Sequence, residues 1–518
     1  MAKFLMVQGT SSNSGKSVLT AALCRIFSDE GYSVAPLKVQ NMSTNVYITN
    51  DGLEMAKAQA LQAVASRTEP SVYMNPILLK PMGDYVSRVV LLGREYRDMH
   101  ARHYYSRFVM KSGLKYVRKA IEKLSSEYDI VVIEGAGSPA EINLARYDIA
   151  NMKLAEMIKA PVIIVSDIER GGCFASMAGT LQLLERKHRA LVKGFVINKF
   201  RGDRSILGSA IGRFEQMARK PVLGIIPFID DMLLPSEDSL GMDGGGDGGG
   251  GGSSRTTKHH HHDMINVAVI RYPDAVNLSD FDSLLQGSDA INAMYLTRAS
   301  GRLENADLVL LPSSRNLVSD LRWLHESGTS DRIRALHATG RPVIGIGGGY
   351  AMICRRILIG SRKLEGLGLL DATVYAGKDK LAGSITARTS KHGRILTKQG
   401  ITVEGHLRQD HRVVRGRKAA PLLGAVQVNG RKKRRQQRFA EGSVSRDGLA
   451  LGSCVYGLFD TPGIRNGIIG FLSGRKGISA SVHGMGAEEF WDVQIQGLSD
   501  IVRKNVDLGS VRKLMGLN

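Results

Sequence analysis

The first half of the chain alternates short apolar runs with longer segments in which apolar positions recur every three or four residues. The short runs predict six β-strands, and segments such as 17–32 and 148–160 predict helices between them. This alternation is typical of a parallel sheet that is covered by helices on both faces. The six predicted strands have the sequences FLMVQG, SVAPLKV, IVVIEGAG, PVIIVSD, GFVINKF and PVLGIIPF.

The alternating pattern stops at a glycine-rich segment, GMDGGGDGGGGGSSRTTKHHHH at 241–262, and then restarts. The composition of this segment is that of a flexible linker. Beyond it, INVAVIRYP, ADLVLLPSS and RPVIGIGGG predict a second doubly wound domain, which becomes richer in strands from about Gly366. We therefore predict an α/β fold with two doubly wound domains, residues 1–240 and 264–518, joined by a Gly/His-rich linker at 241–263.

Composition places the chain among ordinary globular proteins, with 43% hydrophobic and 23% charged residues. No apolar run approaches the 18 or so residues of a membrane-spanning helix, and MAKFLMVQGT is interpreted as a first strand and not as a signal peptide. Four cysteines without CxxC spacing fit buried apolar positions in a reducing cytoplasm. The histidines at 259–262 lie in a tract without fixed geometry, so incidental metal binding is favoured over a built site. Whether they bind metal stays open.

Part of the net charge of +21 is concentrated in one basic segment. Between Arg412 and Arg438 there are ten Lys or Arg and no Asp or Glu, including RKKRRQQR at 431–438. Such runs bind nucleic acid or acidic surfaces in some proteins, but this one has no interleaved aromatic residues and no surrounding DNA-binding motif. We favour a solvated loop between two strands, and nucleic acid is not an expected partner.

A nucleotide-binding motif, GTSSNSGKS at 9–17, lies between the first predicted strand and the first predicted helix. In such a loop the backbone N–H groups and the helix N-terminus hold phosphates, while a lysine neutralises charge. The spacing is unusual, because five residues and not four separate the first and second glycines. We expect contacts with ATP from Gly9, Thr10, Ser12, Gly15, Lys16 and Ser17.

A second part of the predicted site is the carboxylate that ends the run IVVIE. Glu134 is expected at the carboxyl edge of the sheet, beside the phosphate loop. We expect Glu134 and the hydroxyl of Ser17 to bind Mg²⁺ together. The alternative is an acid that only caps the end of a strand.

Motifs throughout the chain carry a family resemblance. The long phosphate loop resembles the dethiobiotin-synthetase-like branch of P-loop ATPases, and the first half resembles the cobyric acid synthase family of cobalamin biosynthesis. The second half is similar to the flavodoxin-like, class I glutamine amidotransferase-like domain of that family. The further motifs are KVQNMSTNVYIT (38–49), AKAQALQA (56–63), MNPILLKP (74–81), EGAGSPAEINL (134–144), DIANM (148–152), DIERGGCFASMAGTLQLL (167–184), PSEDSL (235–240), VIRYPDAVNLSDFDSL (269–284), LPSSRNLVSDLRWL (311–324) and VIGIGGGYAM (343–352).

The resemblance implies ATP-dependent amidation of the b, d, e and g carboxylates of adenosylcobyrinic acid a,c-diamide, which gives cobyric acid. Each carboxylate would first become an acyl phosphate, from which ammonia displaces phosphate. It also implies catalytic roles for Lys16 and Lys38, ATP and Mg²⁺ as cofactors, and a corrinoid substrate. Residues assigned to the corrinoid side, for which a loop held by its own hydrogen bonds is the alternative, are Gln40, Asn41, Asn45 and Tyr47.

The second half departs from the family at its glutaminase site. Members that hydrolyse glutamine carry a cysteine where this chain has Gly347 and a histidine where it has Tyr456. A phenol with an ordinary pKa near 10 is a poor general base at neutral pH. Cys354, about two helical turns further along, is expected to lie too far away to act as the nucleophile. We therefore expect no glutaminase activity, with ammonia coming from solution or from a separate glutaminase.

Two further departures lie nearby. Ser313 and Arg315 stand where the family usually has glycine and lysine, and Glu404 and His406 keep the shape of an E-x-H motif without its role. Two other functions stay open: a regulatory or nucleic-acid-binding P-loop protein, and an amide ligase for another tetrapyrrole. The order of amidation and homo-oligomer formation also stay open.

Overall fold

The computed structural model describes residues 2–229, 264–297, 301–396, 399–428, 439–482 and 487–517. The predicted linker with its histidines, PSEDSL and the basic run at 431–438 lie outside the described residues. The chain divides into two compact units. The first contains the described residues of 2–49, 53–229 and 490–517, and the second contains 50–52 and the described residues between 264 and 489.

Strands and helices alternate along the first unit, as its apolar pattern predicts. Its strands are β1 (Lys3–Gly9), β2 (Val34–Leu37), β3 (Gln40–Met42), β4 (Val46–Ile48), β5 (Glu54–Ala56), β6 (Ile77–Gly83), β7 (Val86–Leu91), β8 (Arg94–His100), β9 (Ile130–Glu134), β10 (Val162–Asp167), β11 (Val192–Phe200) and β12 (Val222–Pro227). Its helices up to that point are α1 (Lys16–Asp29), α2 (Lys57–Ala65), α3 (Ala101–His103), α4 (Leu114–Glu127), α5 (Met152–Ile158), α6 (Cys173–Leu183), α7 (Arg186–Leu191) and α8 (Gly208–Ala218), with a π-helix at Tyr104–Gly113.

The six strands predicted from the apolar runs form one sheet, in the order β12–β11–β10–β1–β9–β2. Every neighbouring pair in it is parallel. β9 and β10 are buried along their whole length, as expected of strands that are covered on both faces. Because β1 lies between β9 and β10, its carboxyl end adjoins the carboxyl ends of both neighbours, where ligands bind in sheets of this kind.

A smaller sheet in the same unit was not predicted. Its order is β3–β6–β7–β8, with a parallel first pair and antiparallel pairs after it. β4 and β5 form a separate antiparallel pair. Exposed polar residues occupy most of β8, so the apolar pattern there is too weak to predict a strand.

The second unit also combines strands and helices. Its strands are β13 (Ile265–Ile270), β14 (Ala275–Val276), β15 (Ile291–Leu296), β16 (Leu308–Leu311), β17 (Ser313–Ser314), β18 (Val343–Ile346), β19 (Cys354–Ile359), β20 (Arg362–Glu365), β21 (Leu370–Thr389), β22 (Thr402–Arg415), β23 (Leu423–Val428), β24 (Phe439–Glu441), β25 (Ser443–Val444), β26 (Ala450–Ser453) and β27 (Val455–Tyr456). Its helices are α9 (Asp282–Leu285), α10 (Gly301–Glu304), α11 (Leu317–Glu326), α12 (Thr329–Ala338), α13 (Gly348–Ile353) and α14 (Pro462–Lys476).

The principal sheet of the second unit has the order β15–β13–β16–β18–β26–β25. All pairs in it are parallel except the last. The predicted α/β fold with two sheet-centred halves is therefore confirmed. The strand-rich part forms a second sheet, β20–β19–β21–β22–β27, to which β23 and β24 add.

The basic segment is partly regular structure. Arg412 and Arg415 lie in β22, and residues 423–428 form β23. The predicted loop between two strands is therefore shorter than the segment, and within the described residues it is limited to 416–422.

The last two helices are α15 (Ala487–Asn505) and α16 (Leu508–Met515), and the unit to which they belong differs from the predicted one. Residues from Phe490 onward belong to the first unit and not to a domain at 264–518. Val506 bridges Gly224 of β12, and the backbone N–H of Asp507 donates to the carbonyl oxygen of Leu223 at 2.7 Å. Contacts between residues so distant in sequence leave no local pattern. Among the described helices, including these two, none is long and apolar enough to cross a membrane.

The four cysteines are free thiols in buried positions, as their spacing predicts. Burial raises the pKa of the Cys24 thiol to about 12 and that of Cys173 to about 11. Both thiols are therefore protonated at neutral pH, which makes them poor nucleophiles.

Candidate active site

The phosphate loop connects β1 directly to α1. Gly15 has φ +104°, a left-handed conformation that favours glycine, immediately before α1 begins at Lys16. Asn198 on β11 donates its Nδ2 group to the carbonyl oxygen of Ser14 at 3.0 Å. A Cβ atom on Gly15 would lie 1.9 Å from that nitrogen, so both the backbone conformation and the available space require glycine.

The ammonium group of Lys16 lies inside the loop. Its Nζ donates to the carbonyl oxygen of Ser11 at 2.9 Å, and the residue is 4% exposed. A positive charge is therefore held at the N-terminus of α1, which already favours anions.

Three other predicted nucleotide contacts lie around the same loop. Gly9 ends β1, and a Cβ atom there would lie 2.2 Å from the hydroxyl oxygen of Ser14. The hydroxyl oxygens of Thr10 and Ser166 are 3.1 Å apart, which connects the loop to β10. Ser12 is exposed in the loop. Their contacts with ATP remain predictions.

Glu134 is the centre of a hydrogen-bonded cluster beside this loop. It ends β9 and is 0% exposed. Its Oε1 accepts hydrogen bonds from the Ser17 hydroxyl at 2.7 Å and from Lys38 Nζ at 2.8 Å. Its Oε2 accepts one from Gln62 Nε2 at 2.6 Å. The structure thus brings together three predicted residues, Ser17, Lys38 and Glu134, with one that was not predicted.

The Glu134 carboxyl group is ionised in spite of its burial. Burial alone would raise its pKa, but the charge of Lys38 and hydrogen bonds from Lys38, Ser17 and Gln62 outweigh that effect and lower the pKa. A carboxylate and a hydroxyl are the oxygen ligands that Mg²⁺ prefers. Ser17 and Glu134, 2.7 Å apart beside the phosphate loop, therefore fit the cation of a Mg·nucleotide.

Two of the four residues assigned to the corrinoid side are buried. Asn41 on β3 is 3% exposed and donates its Nδ2 group to Oε1 of Gln59 at 2.6 Å. Asn45 is 8% exposed, and its backbone N–H donates to the hydroxyl of Ser43 at 3.1 Å. These contacts favour the alternative in which polar side chains hold the segment together.

The other two are partly exposed. Gln40 on β3 accepts a hydrogen bond at its Oε1 from the hydroxyl of Tyr104, at 2.8 Å. Tyr104 begins the π-helix and is 2% exposed, so it fixes the orientation of the Gln40 side chain. Tyr47 lies on β4. Contacts of Gln40 and Tyr47 with substrate remain predictions.

Sequence reasoning missed three residues at this edge of the sheet. Asp167 ends β10 and binds Lys199 Nζ at 2.7 Å, and Asn198 on β11 holds the phosphate loop. The strand-end rule that identified Glu134 applies to Asp167, and Asn198 lies near the same end of β11. Gln62 is different, because it lies on α2, within a motif that supported the resemblance without a role.

In the second unit, the sharp turn at Gly347 is filled by other side chains. Gly347 joins β18 to α13 with φ +55°. The Tyr456 hydroxyl donates to the Ser313 hydroxyl oxygen at 2.9 Å, and the backbone N–H of Gly348 donates to the same oxygen at 3.2 Å. A Cβ atom on Gly347 would lie 2.5 Å from the Tyr456 oxygen and 2.6 Å from the Ser313 oxygen.

The phenol at this turn is not a usable base. Burial raises the pKa of Tyr456 to about 12, although its hydrogen bond with Ser313 acts in the opposite direction. It is therefore neutral at physiological pH and acts as a hydrogen-bond donor.

Two family models match the chain. Residues 5–240 match the CobQ/CobB/MinD/ParA nucleotide binding domain, and residues 266–463 match the CobB/CobQ-like glutamine amidotransferase domain. The chain is 40% identical to a probable cobyric acid synthase of Methanothermobacter thermautotrophicus, over 99% of each sequence. It is 37% identical to the cobyric acid synthase of Photorhabdus laumondii, over 99% of this chain and 98% of that one.

The chain belongs to the cobyric acid synthase family. The resemblance inferred from the motifs is thereby confirmed. A further relative is the cobyric acid synthase of Moorella thermoacetica, 39% identical over 100% of this chain and 98% of that one. Among solved structures, PurLQS from Thermotoga maritima is 14% identical, over 40% of this chain and 99% of that one, with a TM-score of 0.32, which is too low to support an argument.

Against the glutaminase pattern of the cobyric acid synthase family, two of the departures meet at one place. Ser313, where the family usually has glycine, and Tyr456, where it has histidine, share the hydrogen bond that occupies the tip of the turn. Arg315, which stands where the family usually has lysine, pairs instead with Asp274 at 3.2 Å.

Cys354 is not placed where the sequence predicted. α13 ends at Ile353, so Cys354 is the first residue of β19 and not a residue two helical turns along. It is 0% exposed, and its Sγ donates to the carbonyl oxygen of Tyr350 at 3.2 Å. Burial raises the pKa of this thiol far above its ordinary value, so it does not supply a thiolate.

The E-x-H motif lies on β22. His406 pairs with Tyr456 across β22 and β27, and its Nδ1 is 3.3 Å from the Ser384 hydroxyl oxygen. Burial lowers the pKa of His406, so its ring is neutral at physiological pH. Glu404 is exposed. The expectation that Glu404 and His406 have lost the function of this motif remains a prediction.

Proposed function

We propose that this chain forms amides on the b, d, e and g carboxylates of adenosylcobyrinic acid a,c-diamide to give cobyric acid, with ATP as the energy source and free ammonia as the nitrogen donor. Its membership in the cobyric acid synthase family supports the reaction class. The observation that supports free ammonia is the turn at Gly347, where two hydroxyl groups fill the space of a nucleophile.

In the first proposed step, a substrate carboxylate oxygen attacks the γ-phosphorus of ATP. The bond from that phosphorus to the β–γ bridging oxygen breaks, and ADP leaves with the electron pair. Lys16 and the N-terminus of α1 stabilise the negative charge on the phosphates. Lys38 adds a second positive charge, which its hydrogen bond to Glu134 holds in place. Ser17 and Glu134 would hold Mg²⁺, which would neutralise phosphate charge when the nucleotide is bound.

In the second proposed step, the nitrogen of ammonia attacks the carbonyl carbon of the acyl phosphate. The carbon–oxygen bond to phosphate breaks, phosphate leaves with the electron pair, and the nitrogen loses a proton. The glutamine-derived route to ammonia is closed in this chain, because Gly347 has no thiol and Tyr456 is not a base at neutral pH.

The test uses the pure chain with Mg·ATP and adenosylcobyrinic acid a,c-diamide, and compares ammonium chloride with glutamine as the donor. We expect amidated corrinoid with ammonium alone, and no product from Lys16→Ala with either donor. Glutamate release with glutamine-driven amidation would overturn the ammonia assignment. Phosphate release that is stimulated by another tetrapyrrole, and not by the corrinoid, would show that the substrate is that other tetrapyrrole.

A further inference from the structure

Gln62 is the side chain that holds the second oxygen of the Glu134 carboxylate. Ser17 and Lys38 both bind Oε1, whereas Gln62 Nε2 binds Oε2 at 2.6 Å. Gln62 lies on α2 and is 2% exposed, so water does not replace this contact. The orientation of the carboxylate therefore depends on Gln62 as much as on Lys38.

The chemistry of this contact determines which way the amide points. An ionised carboxylate only accepts hydrogen bonds, so the NH₂ group of Gln62 must face it. The reverse orientation would place two oxygen atoms 2.6 Å apart with no proton between them. Nε2 therefore faces Glu134, and Oε1 points to the other side.

The Oε1 atom of Gln62 is the unexplained group. Within the described part of the chain it is buried and has no hydrogen-bond partner. Leaving a buried acceptor without a partner is destabilising, and in native proteins such an atom often indicates a missing water or ligand. The contact with Glu134 fixes this atom in place, so side-chain rotation cannot relieve the cost.

We propose that Gln62 is a positioning residue of the Mg·nucleotide site, which holds Glu134 through Nε2 and accepts at Oε1 a hydrogen bond from a water that arrives with the nucleotide-bound cation. Mg²⁺ keeps several waters in nucleotide sites, and these waters are strong donors. Groups that orient metal ligands in this way change metal affinity about 10- to 100-fold when they are removed. The inference rests on the proposed nucleotide site.

The same helix supplies a matched control. Gln59 lies three residues earlier on α2, is 0% exposed, and also makes a side-chain hydrogen bond, to Asn41. Gln59→Met and Gln62→Met remove the same amide from the same helix. Their effects on helix packing are therefore comparable, whereas Gln62 donates to Glu134 and Gln59 accepts from Asn41.

The experiment measures binding of a non-hydrolysable ATP analogue by calorimetry, once with Mg²⁺ and once with EDTA, and thermal unfolding without nucleotide. For Gln62→Met we expect Mg²⁺-dependent affinity to fall at least about tenfold, with affinity in EDTA unchanged within about twofold. For Gln59→Met we expect both affinities to stay near the wild-type values. A role limited to packing would lower the unfolding temperature of both variants alike and would not separate the Mg²⁺ and EDTA measurements.

A second variant covers the outcome in which Gln62→Met does not fold. Gln62→Asn keeps a polar amide on α2 but is one methylene too short to reach Glu134, so we expect the same selective loss. Equal affinities for Gln62→Asn and wild type in Mg²⁺ would overturn the inference. If Lys16→Ala also leaves nucleotide binding unchanged, the assignment of the nucleotide site is wrong. If Lys16→Ala abolishes binding, only the role assigned to Gln62 is wrong.

Discussion

At the scale of single residues, the turn at Gly347 shows how one substitution depends on its neighbours. Gly347→Cys would place a side chain within 2.6 Å of two hydroxyl oxygens, so we expect no glutamine hydrolysis and a loss of about 1–3 kcal/mol in stability from overpacking. The double variant Gly347→Cys, Tyr456→Ala removes one of the two clashing groups and should recover part of that loss. Glutamate release and thermal unfolding measure the two effects, and glutaminase activity in the single variant would contradict the prediction.

A second residue-scale prediction concerns the buried pair Lys38–Glu134, whose contribution to stability depends on pH. Lys38→Met leaves a buried carboxylate without its cation, and we expect a loss of about 3–5 kcal/mol in unfolding free energy at pH 7. The lowered pKa of Glu134 means that in the wild type its contribution is present above the unfolded pKa of about 4.3 and is lost as pH falls through the lower folded pKa. Without Lys38 the pKa of Glu134 rises, so the carboxyl can take up a proton and the penalty shrinks in acid.

Urea unfolding of wild type and Lys38→Met at pH 7 and pH 5 tests this sign. The stability difference between them should be smaller at pH 5. Lys115→Met, which removes an exposed lysine on α4, is the control and should change little at either pH. A difference that grows in acid would show that Glu134 is not the group responsible.

Sequence reasoning identified residues of this cluster when a local rule applied to them. Ser17 follows the phosphate-loop pattern, and Glu134 follows the rule that ligands bind at the carboxyl ends of strands. Gln62 follows neither rule, because its role depends on a hydrogen bond between α2 and the end of β9, which are far apart in sequence. The filled turn in the second unit was equally invisible, since Ser313 and Tyr456 are far apart in sequence.

At the scale of elements, the helix that begins at the phosphate loop is held by the C-terminal helices. Arg25 on α1 is 0% exposed, and its Nη2 donates to Asp492 Oδ1 on α15 at 2.5 Å. Asp29, the last residue of α1, pairs with Arg503, and Glu30 pairs with Arg512, both at 2.6 Å. α1 is therefore fixed at its phosphate end by the loop and near its other end by α15 and α16.

Asp492→Ala should test this support. It leaves the buried guanidinium of Arg25 without a carboxylate, and because the Asp492 side chain is 54% exposed we expect a moderate loss of about 1–3 kcal/mol. Adding Arg25→Met removes the stranded charge and should recover most of that loss. Asp500→Ala, at an exposed position of the same helix, is the control. If the double variant is less stable than Asp492→Ala alone, Arg25 contributes through its packing and not through the ion pair.

The elements that sequence predicted best are those whose pattern is complete in a short window. The six strands of the central sheet of the first unit are nearly continuous apolar runs, and each was predicted. β8 was missed because its residues are mostly exposed, and Cys354 was placed on a helix because the stop of α13 after six residues carries no local signal.

At the scale of the whole molecule, the chain leaves the first unit, forms the second, and returns to the first with its last two helices. Sequence pattern predicted the boundary near residue 240, where composition changes sharply. It did not predict the return at 490, because α15 is an amphipathic helix that would suit either unit. Only contacts such as that between Asp507 and Leu223 decide where it belongs.

The return of the chain predicts that residues 1–240 do not make a stable domain alone. α15 and α16 bury six large apolar side chains, and burial of each is worth about 1.5–3 kcal/mol, so their removal costs about 9 kcal/mol or more, which is comparable to the whole stability of a domain. These side chains are Trp491, Ile495, Leu498, Val502, Val511 and Met515.

A variant in which a flexible linker replaces residues 241–486 keeps both helices, and we expect it to unfold cooperatively and to bind the ATP analogue. The fragment 1–240 should instead aggregate or unfold at a much lower temperature. Since Trp491 is one of only two tryptophans in the chain, its fluorescence reports directly on the docking of α15 in the linker variant. Equal stability and nucleotide affinity of the fragment 1–240 and the linker variant would show that the C-terminal helices are dispensable for the first unit.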